Sequence, residues 1–461
     1  MKHNPTPHTT GSAGRQVSGL HFYTETIDAG RLSPLAFFEA GENEFAGRRF
    51  YWENRDKTLK LVGIGHAMTL TSDAADGRFA DVRAQWQRLC SVLVKEEGDL
   101  PPVLFGGFSF DPENHPSDEW EGFPPAYFAV PQFQLAEKGG RTFVSINLVT
   151  EGETAAEDFE RLRLICESMI HDAQVMERTP AQKPEVSALD ELARSDYLEA
   201  VGEVTGRIRA GEAEKVVIAR SVQLAFDEAA TPSSVLENLS AEQQESYLFG
   251  LESGGKLFFG ATPERLVEIR DGQALTACVA GSIRRGKSAS EDKALGEGLL
   301  HDPKNRSEHQ YVVNMIGDVF RSFCEEVRIP AGPRLLKVRD IQHLFTPVEG
   351  IPNPDKDLLD FVEALHPTPA LGGTPREAAL PIIRESERMD RGFYGAPVGW
   401  MDSEGNGEFA VAIRSALLEG SGARLYAGGG IVADSVPEEE YEETWVKFRP
   451  VLRALGGKLN G

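Results

Sequence analysis

Apolar positions recur along the chain with two periods, and turn residues mark where one gives way to the other. RRFYWEN (48–54) and KTLKLVGIGHAM (57–68) read as two strands joined by a short polar turn. From Ala80 to Lys95 the residues Val82, Trp86, Leu89, Cys90 and Leu93 keep helical spacing. VLFGGFSF (103–110) and RTFVSINLV (141–149) read as buried strands. ERTPAQKPEVSALDE (177–191) carries two prolines and little apolar content, and reads as a linker. Beyond it DYLEAVGEVTGRIRAGE (196–212) predicts a helix, and KVVIARSVQLAF (215–226), YLFGLES (247–253) and KLFFGATPERLVEI (256–269) predict strands. A long helix is expected from HDPKNRSEH onward, with Asp302 as N-cap and Pro303 at the first helical position. Its stripe is Val312, Val313, Ile316, Val319, Phe320 and Phe323. VGWMD (398–402), FAVAIRSALLE (409–419) and RLYAGGGIV (424–432) predict further strands before a final helix. Strands and helices mix without regular βαβ spacing or an internal repeat, so the expected class is α+β, with large sheets covered by helices.

Composition narrows the function. A net charge of −24 argues against nucleic acid, which needs a basic footprint. It leaves a small anionic substrate open, because a local cluster of Lys and Arg can dominate one cleft. The four cysteines form no CxxC pair and fit a reduced, cytoplasmic compartment. The N-terminus has no apolar signal region, and no apolar run is long enough to cross a bilayer, so no membrane partner is expected. Residues 1–16 are polar and rich in Pro, Thr and Gly, and are expected to be a disordered tail.

The candidate chemistry concentrates near the C-terminus. The final helix is expected to open with a capping box, Ser435 to Glu438, with Pro437 in the first turn. Spacings of three and four put Glu440, Glu443 and Lys447 on one face. A solvated, well-capped helix would show the same acids. The glycine run in AGGGIVADS favours a ligand, since glycines let backbone N–H groups approach one closely. Magnesium takes oxygen ligands, often one or two carboxylates with waters and substrate oxygens. Glu308 is a further candidate carboxylate, or simply a first-turn acid; spacing leaves both open. Arg414 stands mid-strand in AIRSALL, where a charge needs either a buried ion pair or a carboxylate-bearing ligand.

Ordered motifs then carry a resemblance. KVVIAR (215–220), FGATPERL (259–266), AGSIRRG (280–286), NRSEHQYVV (305–313), IQHLF (341–345), HPTPALGG (366–373), RGFYGAPVGW (391–400), AIRSALL (412–418) and AGGGIVADSVPEEEYEET (427–444) follow one another. Over about residues 195–455 the chain resembles the chorismate-binding enzymes, which include anthranilate, aminodeoxychorismate, salicylate and isochorismate synthases. The whole chain is most similar to the isochorismate synthases of menaquinone biosynthesis. The resemblance implies a single large α+β unit with antiparallel sheets around a central cleft. Residues 17–185 would form its first part and 190–458 its chorismate-binding region. It implies that Glu308, Glu440 and Glu443 surround a magnesium ion holding the ring carboxylate of chorismate. Where many relatives carry a second acid three residues before Glu308, this chain has Asn305.

The implied reaction moves a hydroxyl from C4 to C2 of the ring, with Lys215 as base activating water and Glu264 as acid protonating the leaving group. Lys215 would need a lowered pKa, and Glu264 a raised one near an apolar wall such as Phe258 or Phe259. By the same resemblance Arg414 and Tyr394 bind the pyruvyl carboxylate, and Lys447 balances the metal-site charge or touches the ring carboxylate. Gly281, Gly429 and Gly430 offer backbone contacts, Ser282 joins the substrate-binding set, and His343 stands near the ring or serves as a core histidine. Anthranilate synthases carry Gln where Lys215 stands. Aminodeoxychorismate synthases often carry Lys where Ala280 stands, and lyases such as salicylate synthases tend to carry Thr where Ala370 stands. Lys215, Ala280 and Ala370 therefore all point to isochorismate, with a salicylate synthase or a siderophore-pathway isochorismate synthase as alternatives. Water being the nucleophile, no glutaminase subunit is expected.

Overall fold

A computed structural model describes residues 19–457 apart from 115–116, 152–154, 177–180 and 338–340. The tail expected over 1–16 lies outside the described residues.

The strand pair read from the first pattern is Arg49–Glu53 against Leu59–Ser72, antiparallel from Arg49↔Ile64 to Glu53↔Lys60. Leu59–Ser72 continues onto Ala126–Lys138, which also takes Arg141–Thr150 and Val103–Phe108. Two registers stitch this N-terminal sheet to the rest of the chain: Arg49–Glu53 pairs with Tyr247–Ser253, and Val103–Phe108 pairs with Pro397–Asp402. The second sheet region is built on Lys215–Phe226, a β-branched run suited to a half-buried pleat, which pairs with Gly422–Ile431 from Val216↔Ile431 to Ala225↔Gly422. Helices Arg194–Arg209, Arg376–Ser386 and Pro437–Ala454 cover these strands, and Pro303–Phe323 covers the paired strands Gln273–Arg284 and Ile341–Pro352. One aromatic core runs through both regions: Phe50 stacks on Phe105 at 4.1 Å and Trp52 lies 5.9 Å from Tyr247. The α+β expectation therefore holds.

Four local expectations are corrected. The helix read to Lys95 is Arg78–Cys90, because Leu93–Val94 leave it to pair with His21–Gly30. KLFFGATPERLVEI is two strands, Lys256–Thr262 and Arg265–Arg270, since Pro263 has no N–H for a ladder. FAVAIRSALLE is likewise Gly407–Val411 and Ser415–Glu419, and Arg414 sits in the break at φ +52°. Part of the segment read as a linker, Val186–Asp190, is a strand on the edge of Lys215–Phe226.

Candidate active site

The two strand breaks face each other. Lys256–Thr262 pairs with Ser415–Glu419 and Arg265–Arg270 pairs with Gly407–Val411, so the ladder is interrupted on both sides at the same level. Backbone bonds hold the step: Ala261 N–H donates to Arg414 O at 3.1 Å, and Val411 N–H donates to Glu264 O at 3.0 Å. Each side chain released from the pleat, Glu264 and Arg414, points into a cavity of about 710 Å³. Arg414 is thus a break residue rather than the mid-strand residue expected.

Lys215, at the start of its strand, lines the same cavity, as do Glu308, Tyr394, Glu443 and Lys447. So do Ala280, Ser282 and Ala370. Asp302 caps the Pro303–Phe323 helix as expected, accepting from Asn305 N–H at 2.7 Å, and this sets Glu308 one turn in. Asn305 turns back to the same cap, its side-chain amide on Asp302 at 2.8 Å. Lys215 Nζ lies 3.5 Å from Glu308 Oε1 and Lys447 Nζ lies 2.7 Å from Glu443 Oε1. Lys447 also donates to Gly428 O at 2.7 Å.

The glycine run makes room for these groups. A Cβ at Gly428 would stand 3.3 Å from the Tyr394 hydroxyl, one at Gly429 3.1 Å from Glu440 Oε2, and one at Gly430 2.5 Å from Lys215 Cε. Gly428 and Gly430 share one face of the strand with Tyr394 and Lys215, and Gly429 turns to the face of Glu440. Gly281 takes a left-handed φ of +79° beside Asn305, which only glycine adopts freely.

The capping box is corrected here. Val436 is the N-cap and no side chain caps the helix. The Ser435 hydroxyl instead donates to Glu440 Oε1 at 2.6 Å and accepts from Val432 N–H at 3.1 Å. The helix starts one residue later than the box requires, and the Ser435 oxygen accepts from the loop N–H of Val432 instead of from the first turn.

Burial sets the electrostatics. It raises the Glu264 carboxyl to about 7, against the opposing pull of Arg414 and Lys215. Burial likewise raises the Tyr394 phenol to about 12 and lowers the Arg414 and Lys447 cations, the last against the attraction of Glu443. Glu440 is raised by burial and by the charge of Glu443, opposed by the Ser435 bond. His343 stands behind the wall, its Nδ1 2.6 Å from the Ser282 hydroxyl, and burial followed by the charges of Arg55 and Arg414 lowers it to about 4. Gly281, His343, Gly429 and Glu440 thus back the cavity rather than line it.

Carboxylates from two helices reaching one cavity are the right donor chemistry for a hard divalent cation, and Glu440, one turn before Glu443, lies close behind. Among the described residues no three acid, His or Cys side chains converge tightly enough to form a metal cluster. The facing lysines neutralise Glu308 and Glu443 instead.

The sequence reading missed Lys304, Ser307 and Tyr311, which line the cavity on the face of Glu308. Lys304 and Tyr311 stand four before and three after Glu308, and Ser307 three after Lys304 and four before Tyr311, which was the available signal. It also missed Glu387 and Arg391, a buried pair four residues apart behind the wall.

A family model described as chorismate binding enzyme matches residues 11–456. The chain is 43% identical over 446 residues to the isochorismate synthase MenF of Bacillus subtilis, covering 95% of this chain and 93% of that protein. It is 38% identical over 432 residues to the salicylate biosynthesis isochorismate synthase of Pseudomonas aeruginosa, covering 92% and 89%. Its fold is similar to that of the menaquinone-specific isochorismate synthase MenF from Escherichia coli, with a TM-score of 0.79 at 22% identity over 96% of both chains. No described helix is long and apolar enough to cross a membrane.

Proposed function

The chain belongs to the chorismate-binding enzyme family, and we propose that its cavity isomerises chorismate to isochorismate with Lys215 as base and Glu264 as acid. The enzyme is an isomerase that moves a hydroxyl from C4 to C2 of the ring. The observation that carries the residue assignment is the Glu264 carboxyl. Buried beside two cations and still raised to about 7, it keeps a proton to give near neutral pH.

Lys215 takes a proton from the water that attacks C2, the ring double bonds shift, and Glu264 protonates the departing C4 hydroxyl. Arg414 and Tyr394 hold the pyruvyl carboxylate, the guanidinium by paired N–H donors and the phenol by its hydroxyl. Lys447 and the backbone at Gly430 hold the ring end. Glu308, Glu440 and Glu443 would bind magnesium, which when bound supplies positive charge for the ring carboxylate. For that, Lys215 and Lys447 leave the carboxylates they now neutralise. Ala280 and Ala370 leave the cavity wall without the lysine or threonine hydroxyl of the amino-transferring and lyase relatives.

Incubation with chorismate and magnesium, with the products resolved, tests this. Isochorismate is the expected product, and pyruvate with salicylate as main products would overturn the assignment. We place the enzyme in the cytoplasm and its product in menaquinone biosynthesis, a pathway supported by the 43% identity to MenF. The 38% identity to an isochorismate synthase of salicylate biosynthesis keeps a second destination in view. Deleting the gene should lower menaquinone; intact menaquinone with a lost catechol siderophore would overturn that placement.

A further inference from the structure

The strand Lys215–Phe226 has a gap along one edge. Residues 215–216 pair there with Gly373–Thr374, and 223–226 pair with Val186–Asp190. Between them, on this edge, Val217 to Val222 have no strand partner among the described residues, and Val217 N–H donates to Gly372 O at 3.0 Å. Two side chains fill much of the gap. Ala219 N–H donates to Glu387 Oε1 at 2.7 Å, and Arg391 Nη2 donates to Val217 O at 2.8 Å. Arg391 also donates through Nη1 to Leu371 O at 3.0 Å and through Nε to Glu387 Oε2 at 2.8 Å. Its guanidinium lies 4.1 Å from the centre of the Phe110 ring. Its own carbonyl accepts from Tyr394 N–H at 2.8 Å. Both side chains are only 3% exposed.

Burying an ion pair is a poor route to stability, because desolvation offsets the attraction. What this pair does is geometric. Val217 and Leu371 line the cavity, Val217 lies two residues from Lys215, Leu371 follows Ala370, and neither Glu387 nor Arg391 reaches the cavity itself. We propose that the Glu387–Arg391 pair is a positioning device for the isomerisation, holding the Lys215 strand in register with the Ala370–Leu371 loop and the Tyr394 turn. It rests on the reading of Lys215 as base. A strand edge closed by a ladder would be fixed by its hydrogen bonds; here one guanidinium ties two walls of the site together.

The test uses the full chain with chorismate and magnesium. Arg391→Lys keeps the charge opposite Glu387 but replaces a planar fork of three separate nitrogens by a single one, so the bonds to Val217 O, Leu371 O and Glu387 lose their fixed geometry. Glu387→Gln keeps an acceptor for Ala219 and removes the charge. At a temperature where circular dichroism shows both variants folded, kcat should fall at least about tenfold while KM stays within about threefold, as expected when geometry rather than affinity is lost. Amide exchange at Val217, Ala219 and Gly372 should quicken in the same variants by more than at amides elsewhere, beyond the general loss of stability that follows from leaving one buried charge without its partner. Folded variants with wild-type kcat, a rise in KM alone, or unchanged exchange at these amides would each overturn the proposal. Lys215→Ala is measured alongside: if that variant stays active the base assignment falls, and the exchange measurement still decides whether the pair positions this edge.

Discussion

At the scale of single residues, a pH dependence follows from the proposed role of Glu264 as the acid. Its carboxyl is raised to about 7 by burial, so it is protonated below that pH and ionised above it. A general acid works only while it holds its proton, so kcat should be retained as pH falls towards neutrality and lost as pH rises through about 7. Glu264→Gln should abolish most turnover and remove that limb from whatever activity remains, as a pH–rate series would show. The stability linkage runs with the same sign. An acid whose folded pKa is raised stabilises the fold least above it, so Glu264→Gln should gain stability relative to wild type between the ordinary carboxylate range and about 7, and keep that gain above. Lys215→Ala should lower kcat by about 10²–10⁴, the range of a lost general base, while chorismate still binds by calorimetry. Unchanged chorismate consumption would show that the base lies elsewhere.

At the scale of elements, the glycine run of Gly422–Ile431 is the part whose chemistry was most legible. Three glycines before an acidic helix pointed to a close approach, and each makes room for a named group. A Cβ at position 430 would meet the flexible Lys215 Cε at 2.5 Å rather than backbone. Gly430→Ala should therefore fold with little loss of stability and still lose most activity, because the lysine must swing away from its place. A thermal melt and a kcat measurement on one preparation would separate the two effects. Asp302, which caps the Glu308 helix through Asn305 N–H, should cost about 1 kcal/mol on Asp302→Ala, by chemical denaturation. What remained illegible were the breaks at Glu264 and Arg414. Their flanking residues, FFGAT and LVEI on one side and FAV and SALL on the other, are largely apolar, so the local pattern runs straight through them. Only Pro263 signalled the first. The second is imposed by its partner strand, a tertiary effect invisible along the chain. Ser435 was misassigned for a similar reason. A capping box is a local rule, and the Ser435 oxygen is taken by Val432 N–H, from outside it.

At the scale of the whole molecule, the question is whether the region before residue 190 is a separable unit. Its strands Arg49–Glu53 and Val103–Phe108 are ladder partners of Tyr247–Ser253 and Pro397–Asp402, from the far side of the chain. Cutting them away would leave two bare strand edges, which invite association with other chains. It would also remove Trp52, Phe50 and Phe105 from a shared aromatic core, and Phe128 from its contact with Phe409 at 6.2 Å. Each large apolar side chain so exposed costs roughly 1.5–3 kcal/mol, and a few of them equal the roughly 5–15 kcal/mol by which a folded chain is stable at all. The fragment from residue 190 onward, which carries every proposed catalytic and metal-binding side chain, should therefore fail to give a cooperative melt and should be inactive when produced alone. Supplying the preceding segment in the same cell should restore both. An active, cooperatively melting fragment would mean that these pairings contribute far less than their burial implies, and that the cavity is held by the C-terminal strands by themselves.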